Sequence, residues 1–430
     1  MLKLLRATSF TYVLILSFLL SFLPNASADD HHTISLREII KTGLKNSPRI
    51  KKSTADLLST QAQTRKAIGA LFPQINIKSI ATQHDDEYYR AYIDATQPLY
   101  AGGAISAAIS LYRNNESAAR ISLINETQKV IYDIILSYFN VTQQTKLVEA
   151  AAENTETMRK HATVIRGYEK IGRARRTDRL QTQVNLLSAQ AEVQDLKTQL
   201  FTERENLREL LALEESPLIQ IENEIKFSPF EITDPSKAVK EALTSNPEIQ
   251  LTELVKNTIN DEKDIALAAD KPNLALRGQI GYRNIDRNIW FDQDSKYSSA
   301  SLELTIPIFS GLSSIAKKRD FAEKKNSAAR NLEIKKNSLE SRLRTKFNDL
   351  STISERLEIA RQATLDSKEA LELANRDYQR STISSQDVLN IQRTRYDAKK
   401  LYIRTQYTYM RLLLDIRQYL GQNLENIYAK

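Results

Sequence analysis

The chain contains no cysteine, and in 430 residues it has only ten prolines, ten glycines and four histidines. Without cysteine there is no disulfide, no thiolate nucleophile and no thiolate metal ligand, so stability must come from packing or assembly. His31, His32, His84 and His161 lack the spaced partners that hold a metal, and no glycine-rich loop is present to cradle a phosphate. The sequence therefore offers no catalytic constellation, no cofactor signature and no metal site. Proline is missing from the 118 residues between Pro98 and Pro217 (217 − 98 − 1) and from the 123 after Pro307 (430 − 307). Interior proline is what most often breaks a helix, so both stretches suit very long ones.

Long apolar runs are scarce too. Residues 13–23 form the exception, preceded by Lys3 and Arg6 and followed by Ala26-Ser27-Ala28. Charge, length and small cleavage-site residues read as a secretory signal peptide over residues 1–28, with the mature chain starting at Asp29. The run is short for a spanning anchor. With no second such run, any membrane crossing must use a β-barrel. No cysteine follows the cleavage site to carry a lipid. The net charge of +8 would suggest nucleic acid in a cytoplasmic protein. In an exported one it reads as solvated helix faces or contact with anionic lipid headgroups, and no nucleic-acid partner is expected.

What is present is a duplication. Asn46-Ser47-Pro48 recurs as Ser245-Asn246-Pro247, and Phe72-Pro73-Gln74-Ile75 as Lys271-Pro272-Asn273-Leu274, both 199 residues on (247 − 48 and 272 − 73). Thr96-Gln97-Pro98-Leu99-Tyr100-Ala101-Gly102 recurs as Thr305-Ile306-Pro307-Ile308-Phe309-Ser310-Gly311, 209 on (307 − 98). A unit this long is not a solenoid repeat; it implies one fold built from two similar halves. The spacing predicts two domains-in-sequence, 29–213 and 241–430, joined by a linker over 214–240 that holds Pro217, Pro229 and Pro235.

In each half a proline-free stretch predicts two long helices. In the first they run from about 104 to 166 and from about 175 to 213, broken around Gly167 and Gly172; the longer would approach about 90 Å. Leu186, Ala189, Val193, Leu196, Leu200, Glu203, Leu207 and Leu210 step by three and four, as do Val388, Ile391, Arg395, Ala398, Tyr402, Thr405, Tyr409, Leu412, Ile416 and Tyr419. This is heptad packing. Its small and mixed seam residues fit helices that touch neighbours on two sides, as in a cylinder; a plain soluble bundle is the competing reading.

Four short segments alternate with period two, a hairpin in each half over about 72–100 and 272–310. Ile75 and Ile77 alternate with Asn76 and Lys78, Ala91 and Ile93 with Arg90, Tyr92 and Asp94, and Leu302 and Leu304 with Ser301, Glu303 and Thr305. Leu274, Leu276 and Ile280 alternate likewise with Asn273, Arg277 and Gln279. Tyr88, Tyr89 and Tyr92, with Trp290, Phe291 and Tyr297, are candidates for an interfacial aromatic girdle. Four strands cannot close a membrane barrel alone, whereas three chains would supply twelve.

This order of elements, the repeated Asn/Ser-Pro and the hairpins ending in Pro98-Leu99-Tyr100-Ala101-Gly102 and Pro307-Ile308-Phe309-Ser310-Gly311 resemble the TolC family of trimeric outer-membrane efflux and secretion channels. The late helix turns carry the same likeness. The first runs from Gly172 through Arg173, Arg175 and Arg176 to Asp178; the second from Tyr378 through Ser381 to Asp387-Val388-Leu389. Asp178 and Asp387 are again 209 apart (387 − 178). The resemblance implies a mainly α fold with a small β part. A long coiled-coil helical barrel would span the periplasm, and four strands per protomer would complete a twelve-stranded trimeric barrel in the outer membrane. It implies a passive exit duct of a tripartite efflux pump or type I secretion system, served by a periplasmic adaptor and an inner-membrane transporter. Asp387, Asn390 and Asp178 are then expected at the pore constriction. Gly172, Arg173, Arg175, Arg176 and Ser381 fall at the turns where an adaptor would dock. Ser381 and Asn390 depart from the family, which commonly has glycine and, in some members, an acid there. Two alternatives stay open: Asp387 as a helix cap only, and the arginine cluster as solvated surface. A periplasmic coiled-coil adaptor or scaffold with soluble hairpins is the competing function.

Overall fold

The computed structural model describes residues 35–82, 88–213, 234–284 and 296–428. The expected signal peptide, most of the expected linker, His84, Trp290 and Phe291 lie outside those residues. Among the described residues each half holds four helices and two strands, besides one short helix at the end. The first comprises α1 (Leu36–Asn46), α2 (Pro48–Gly69), β1 (Gln74–Thr82), β2 (Tyr88–Ala101), α3 (Ala104–Lys170) and α4 (Arg176–Leu210). The second comprises α5 (Pro235–Ser245), α6 (Pro247–Ala268), β3 (Asn273–Asn284), β4 (Lys296–Thr305), α7 (Ser313–Gln379) and α8 (Ser385–Tyr419), and a short α9 (Leu424–Tyr428) ends the chain. α5 begins inside the segment expected to be linker.

The duplication extends to helix length. α3 and α7 each have 67 residues, α4 and α8 each 35, α2 and α6 each 22, and α1 and α5 each 11. At 1.5 Å per residue the longest reach about 100 Å. The break expected near Gly167 does not occur: α3 runs through it to Lys170. A lone helical glycine costs only about 1 kcal/mol, and Gly167 has no capping bond to stop the helix.

The repeated Asn/Ser-Pro motif is a joint that the sequence reading missed. Proline is tolerated in the first turn of a helix, so Pro48 and Pro247 begin α2 and α6 directly after α1 and α5. Asn246 accepts from the Glu248 N–H at 2.9 Å and donates through Nδ2 to the Tyr419 carbonyl at 2.9 Å. Asn46 donates to the Leu211 carbonyl at 3.3 Å. Each joint is thus clipped to the far end of its long helix pair.

The strands form one antiparallel sheet in the order β1-β2-β3-β4. Its register places Ile77, Ile93 and Ile280 in line on one face, and Asp94 and Gln279 on the other. Ile75, Ile77, Ile93, Ile280, Leu302 and Leu304 are exposed. The polar face is cross-linked: Gln279 donates to Asp94 at 2.9 Å, Lys78 pairs with Asp94 at 3.4 Å, and Arg277 with Glu303 at 2.8 Å. Ile80, which spoils the alternation, stands on this face opposite Arg90. Tyr92 and Tyr297 also belong to the polar face, against expectation. Their rings flank the Arg90 guanidinium at 4.5 and 4.8 Å, so neither is part of an outward girdle. Among the described residues β1 and β4 are open edges.

α3 packs along α4 and α7 along α8, and α8 also packs on α3. The expected α4 seam buries Leu186, Ala189, Val193, Leu196, Leu200 and Leu207. α8 buries two lines: Leu412 and Ile416 toward Ile353 of α7, and Ile403, Tyr407, Met410 and Leu414 toward Ile131, Ile134, Ile135 and Tyr138 of α3. That second line joins the halves in an apolar belt, braced by Asp415, which accepts from Tyr132 Oη at 2.6 Å and Lys346 Nζ at 2.6 Å. The outer flanks of α4 (Val184, Leu187, Phe201) and α7 (Ile334, Ile359, Leu365, Leu373) are exposed. No helix among the described residues is long and apolar enough to cross a membrane.

Candidate functional site

The two helix turns farthest from the sheet are built alike. After α3, Gly172 takes a left-handed φ of 73°, its N–H donates to the Glu169 carbonyl at 3.1 Å, and the Arg173 N–H to the Tyr168 carbonyl at 2.8 Å. After α7, Ser381 takes φ 62°, its N–H donates to the Tyr378 carbonyl at 2.9 Å, and the Thr382 N–H to the Asp377 carbonyl at 3.0 Å. Both are helix-ending motifs that favour glycine. Serine there costs about 1 kcal/mol that glycine does not.

The following helices start on the expected acids. Ser384 Oγ accepts from the Asp387 N–H at 3.2 Å, while Asp387 Oδ2 accepts from the Ser384 N–H at 2.9 Å and Oγ–H at 2.6 Å. These bonds, the hydroxyl's first, hold the Asp387 carboxyl below its ordinary pKa. At the first turn Arg175 occupies the cap position and has no side-chain acceptor, so half the motif remains: its N–H donates to Asp178 Oδ2 at 3.2 Å. Arg175 thus contacts Asp178 through its backbone and not through the guanidinium. The ion pair across this turn is Arg179 with Glu169 at 2.8 Å. Arg173, Arg175 and Arg176 are exposed, as are Asp387 and Asn390, and the Gln386 amide donates to Asn390 Oδ1 at 3.1 Å.

A cluster that sequence reasoning missed joins the two turns. His161 of α3 is buried, its Nε2 lies 3.1 Å from Ser385 Oγ of α8, and its ring meets Tyr378 of α7 edge-on at 5.4 Å. Tyr168 stacks on Tyr378 at 5.9 Å. Burial pushes the His161 pKa down, and burial, with Tyr168 and Asp178 nearby, pushes that of Tyr378 up. Farther from the turns Glu153 of α3 binds Arg395 and Lys399 of α8, and Lys400 pairs with Glu192 of α4 at 3.2 Å. The two hairpins are therefore held by polar and ring contacts near their tips and by the apolar belt nearer the sheet. An α-helical shaft ending in two paired turns, attached to an open four-stranded sheet, suits the protomer of a duct.

Comparison with known proteins agrees. The outer membrane efflux protein family matches residues 39–213 and 238–422, and the chain belongs to that family. It is similar to outer membrane protein TolC of Vibrio cholerae serotype O1, 25% identical over 403 residues covering 90% of each chain. It is also similar to the alkaline protease secretion protein AprF of Pseudomonas aeruginosa, 20% identical over 416 residues, 91% of this chain and 85% of the other. A crystal structure of CusC shares the fold, with TM-score 0.81 and 16% identity over 90% of this chain and 92% of that one. The protein is an outer-membrane exit duct extending into the periplasm. The competing reading, a periplasmic scaffold with soluble hairpins, is set aside.

Proposed function

We propose that three copies of the chain close into one conduit, with twelve strands crossing the outer membrane and twelve long helices walling the periplasmic part. The observation that carries this is the open sheet: among the described residues its edges β1 and β4 are unpaired and one face is apolar and exposed, so closure requires other chains. The exposed apolar flanks of α4 and α7 provide the matching helical contacts. The load, a small molecule or a secreted polypeptide, is delivered by an inner-membrane transporter through a periplasmic adaptor.

The paired turns form the periplasmic entrance. Asp387, Asn390 and Asp178 line it, and Gly172, Arg173, Arg175, Arg176 and Ser381 shape the surface on which the adaptor docks. Three Asp387 carboxylates around one axis attract cations. Opening tilts α7 and α8 away from α3 and α4, parting His161 from Ser385 and Glu153 from Arg395 and Lys399, while the apolar belt serves as the pivot. Exposed ion pairs contribute only about 0–1 kcal/mol each, so the tips yield before the belt does. Single-channel recording tests the entrance: the wild type should prefer cations and be blocked by multivalent ones, and Asp387→Asn should lose both while still assembling. Unchanged preference and block in that variant would reduce Asp387 to a helix cap.

A further inference from the structure

The positive charge of the chain is concentrated in one place. Residues 313–347, the first half of α7, carry eleven Lys and Arg against four Asp and Glu, a net of +7 (11 − 4). The equivalent stretch of α3, residues 104–138 at the 209-residue offset, carries three against three, a net of 0 (3 − 3). The two helices have the same length and place in the fold, so the fold does not require this charge.

Its position is specific. Between the end of β4 and the first turn of α7, Ile306, Ile308, Phe309, Leu312 and Ile315 are all exposed, Ile308 by 96% and Phe309 by 81%. That apolar collar continues the apolar face of the sheet and ends at Ile315. Lys317 is committed to Asp270 at 3.7 Å and Lys324 to Asp320 at 2.7 Å. Lys318, Arg319 and Lys325 are exposed and have no carboxylate partner among the described residues. Lys318 and Arg319 sit three and four residues past Ile315, about 5–6 Å along the helix, the depth of a headgroup layer beside the hydrocarbon. Lys325, on the same face seven residues after Lys318, stands about 15 Å past Ile315, within about one Debye length of that layer.

We infer that Lys318, Arg319 and Lys325, with the collar above them, form a binding surface for anionic phospholipid headgroups of the periplasmic leaflet. The collar sits in the acyl region, Lys318 and Arg319 take the phosphates and Lys325 adds longer-range attraction, anchoring the second half of each chain at a fixed depth. Near a bilayer each such cation is worth on the order of 1 kcal/mol, fading within a Debye length of about 8 Å. The inference rests on the sheet being the membrane-crossing part.

The test reconstitutes the full-length assembled protein in nanodiscs of phosphatidylethanolamine with a minor share of phosphatidylglycerol. The lipid retained by the protein after detergent extraction is then measured by mass spectrometry. Phosphatidylglycerol should be enriched several-fold over its bulk share, less so at high salt. The triple variant Lys318→Gln, Arg319→Gln, Lys325→Gln should return it to the bulk share, and Lys324→Gln should not. Insertion without enrichment, or enrichment surviving the triple variant, overturns the surface and leaves the barrel standing. A triple variant that no longer assembles, where Lys318→Arg with Lys325→Arg does, makes the face a contact between copies of this chain and also overturns it. Failure of the wild type to insert overturns both readings.

Discussion

His161 carries the sharpest consequence at the residue scale. Its burial lowers its pKa from the ordinary value near 6.5, so the closed tip prefers the neutral ring. The groups facing it are Tyr378 and Ser385, with Tyr168 behind; Asp178 acts on Tyr378. Above about pH 6.5 the contact contributes in full. As the pH falls toward the depressed value, an opened tip takes up a proton that the closed one rejects, and closure loses stability. Amide exchange through residues 376–385, corrected for intrinsic rate, should therefore be faster at pH 5.5 than at pH 7.5, and His161→Phe should abolish the difference. An unaltered pH response in that variant would remove His161 from the closure. Nothing in the sequence pointed to this histidine, because its partner Ser385 lies 224 residues away and only the tertiary fold brings them together. Ser381, by contrast, was legible as a turn residue, because it stands where the family commonly has glycine, and the structure places it in a turn at φ 62°.

At the scale of elements, period and proline content were reliable guides and local breaks were not. The absence of proline located α3, α4, α7 and α8, and the heptad steps identified the α4 seam, because both depend on properties repeated over dozens of residues. The α1–α2 and α5–α6 joints were invisible, since a proline in the first turn of a helix leaves the apolar period on either side intact. Those joints are unequal. Asn246 both caps α6 and clips it to Tyr419, whereas Ser47 makes no side-chain cap bond. Asn246→Ala should cost about 1–2 kcal/mol and lower the thermal midpoint measurably, and Ser47→Ala should cost less. Equal losses would mean that the clip contributes nothing beyond the backbone turn.

At the scale of the whole molecule the sheet decides how the protein meets lipid. The alternation agrees with the register of the sheet, in which Leu304 pairs with Leu274 near the helix-proximal end of the strands. Ile93, paired with Ile280 in the middle of β2 and β3, is the better probe. Ile93→Arg should cost about 2–4 kcal/mol, Leu304→Arg about 0–1, and Ser299→Arg, on the polar face, should be tolerated. Outer-membrane yield and refolding into bilayers measure the order, and an Ile93→Arg protein that assembles as well as Ser299→Arg would reverse the faces.

The equal lengths of α3 and α7, and of α4 and α8, bring both turns of a chain to the same height. In a trimer this gives six turns of one shape (2 × 3), a near-sixfold rim on a threefold object. Their chemistry is not sixfold. The first turn bears Arg173, Arg175, Arg176 and Arg179, where the second bears Thr382, Ser384, Ser385 and Val388. A partner that reads backbone shape finds six equivalent berths, while one that reads charge finds only three. Counting how many partner chains one trimer takes up would reveal which of the two languages the rim speaks.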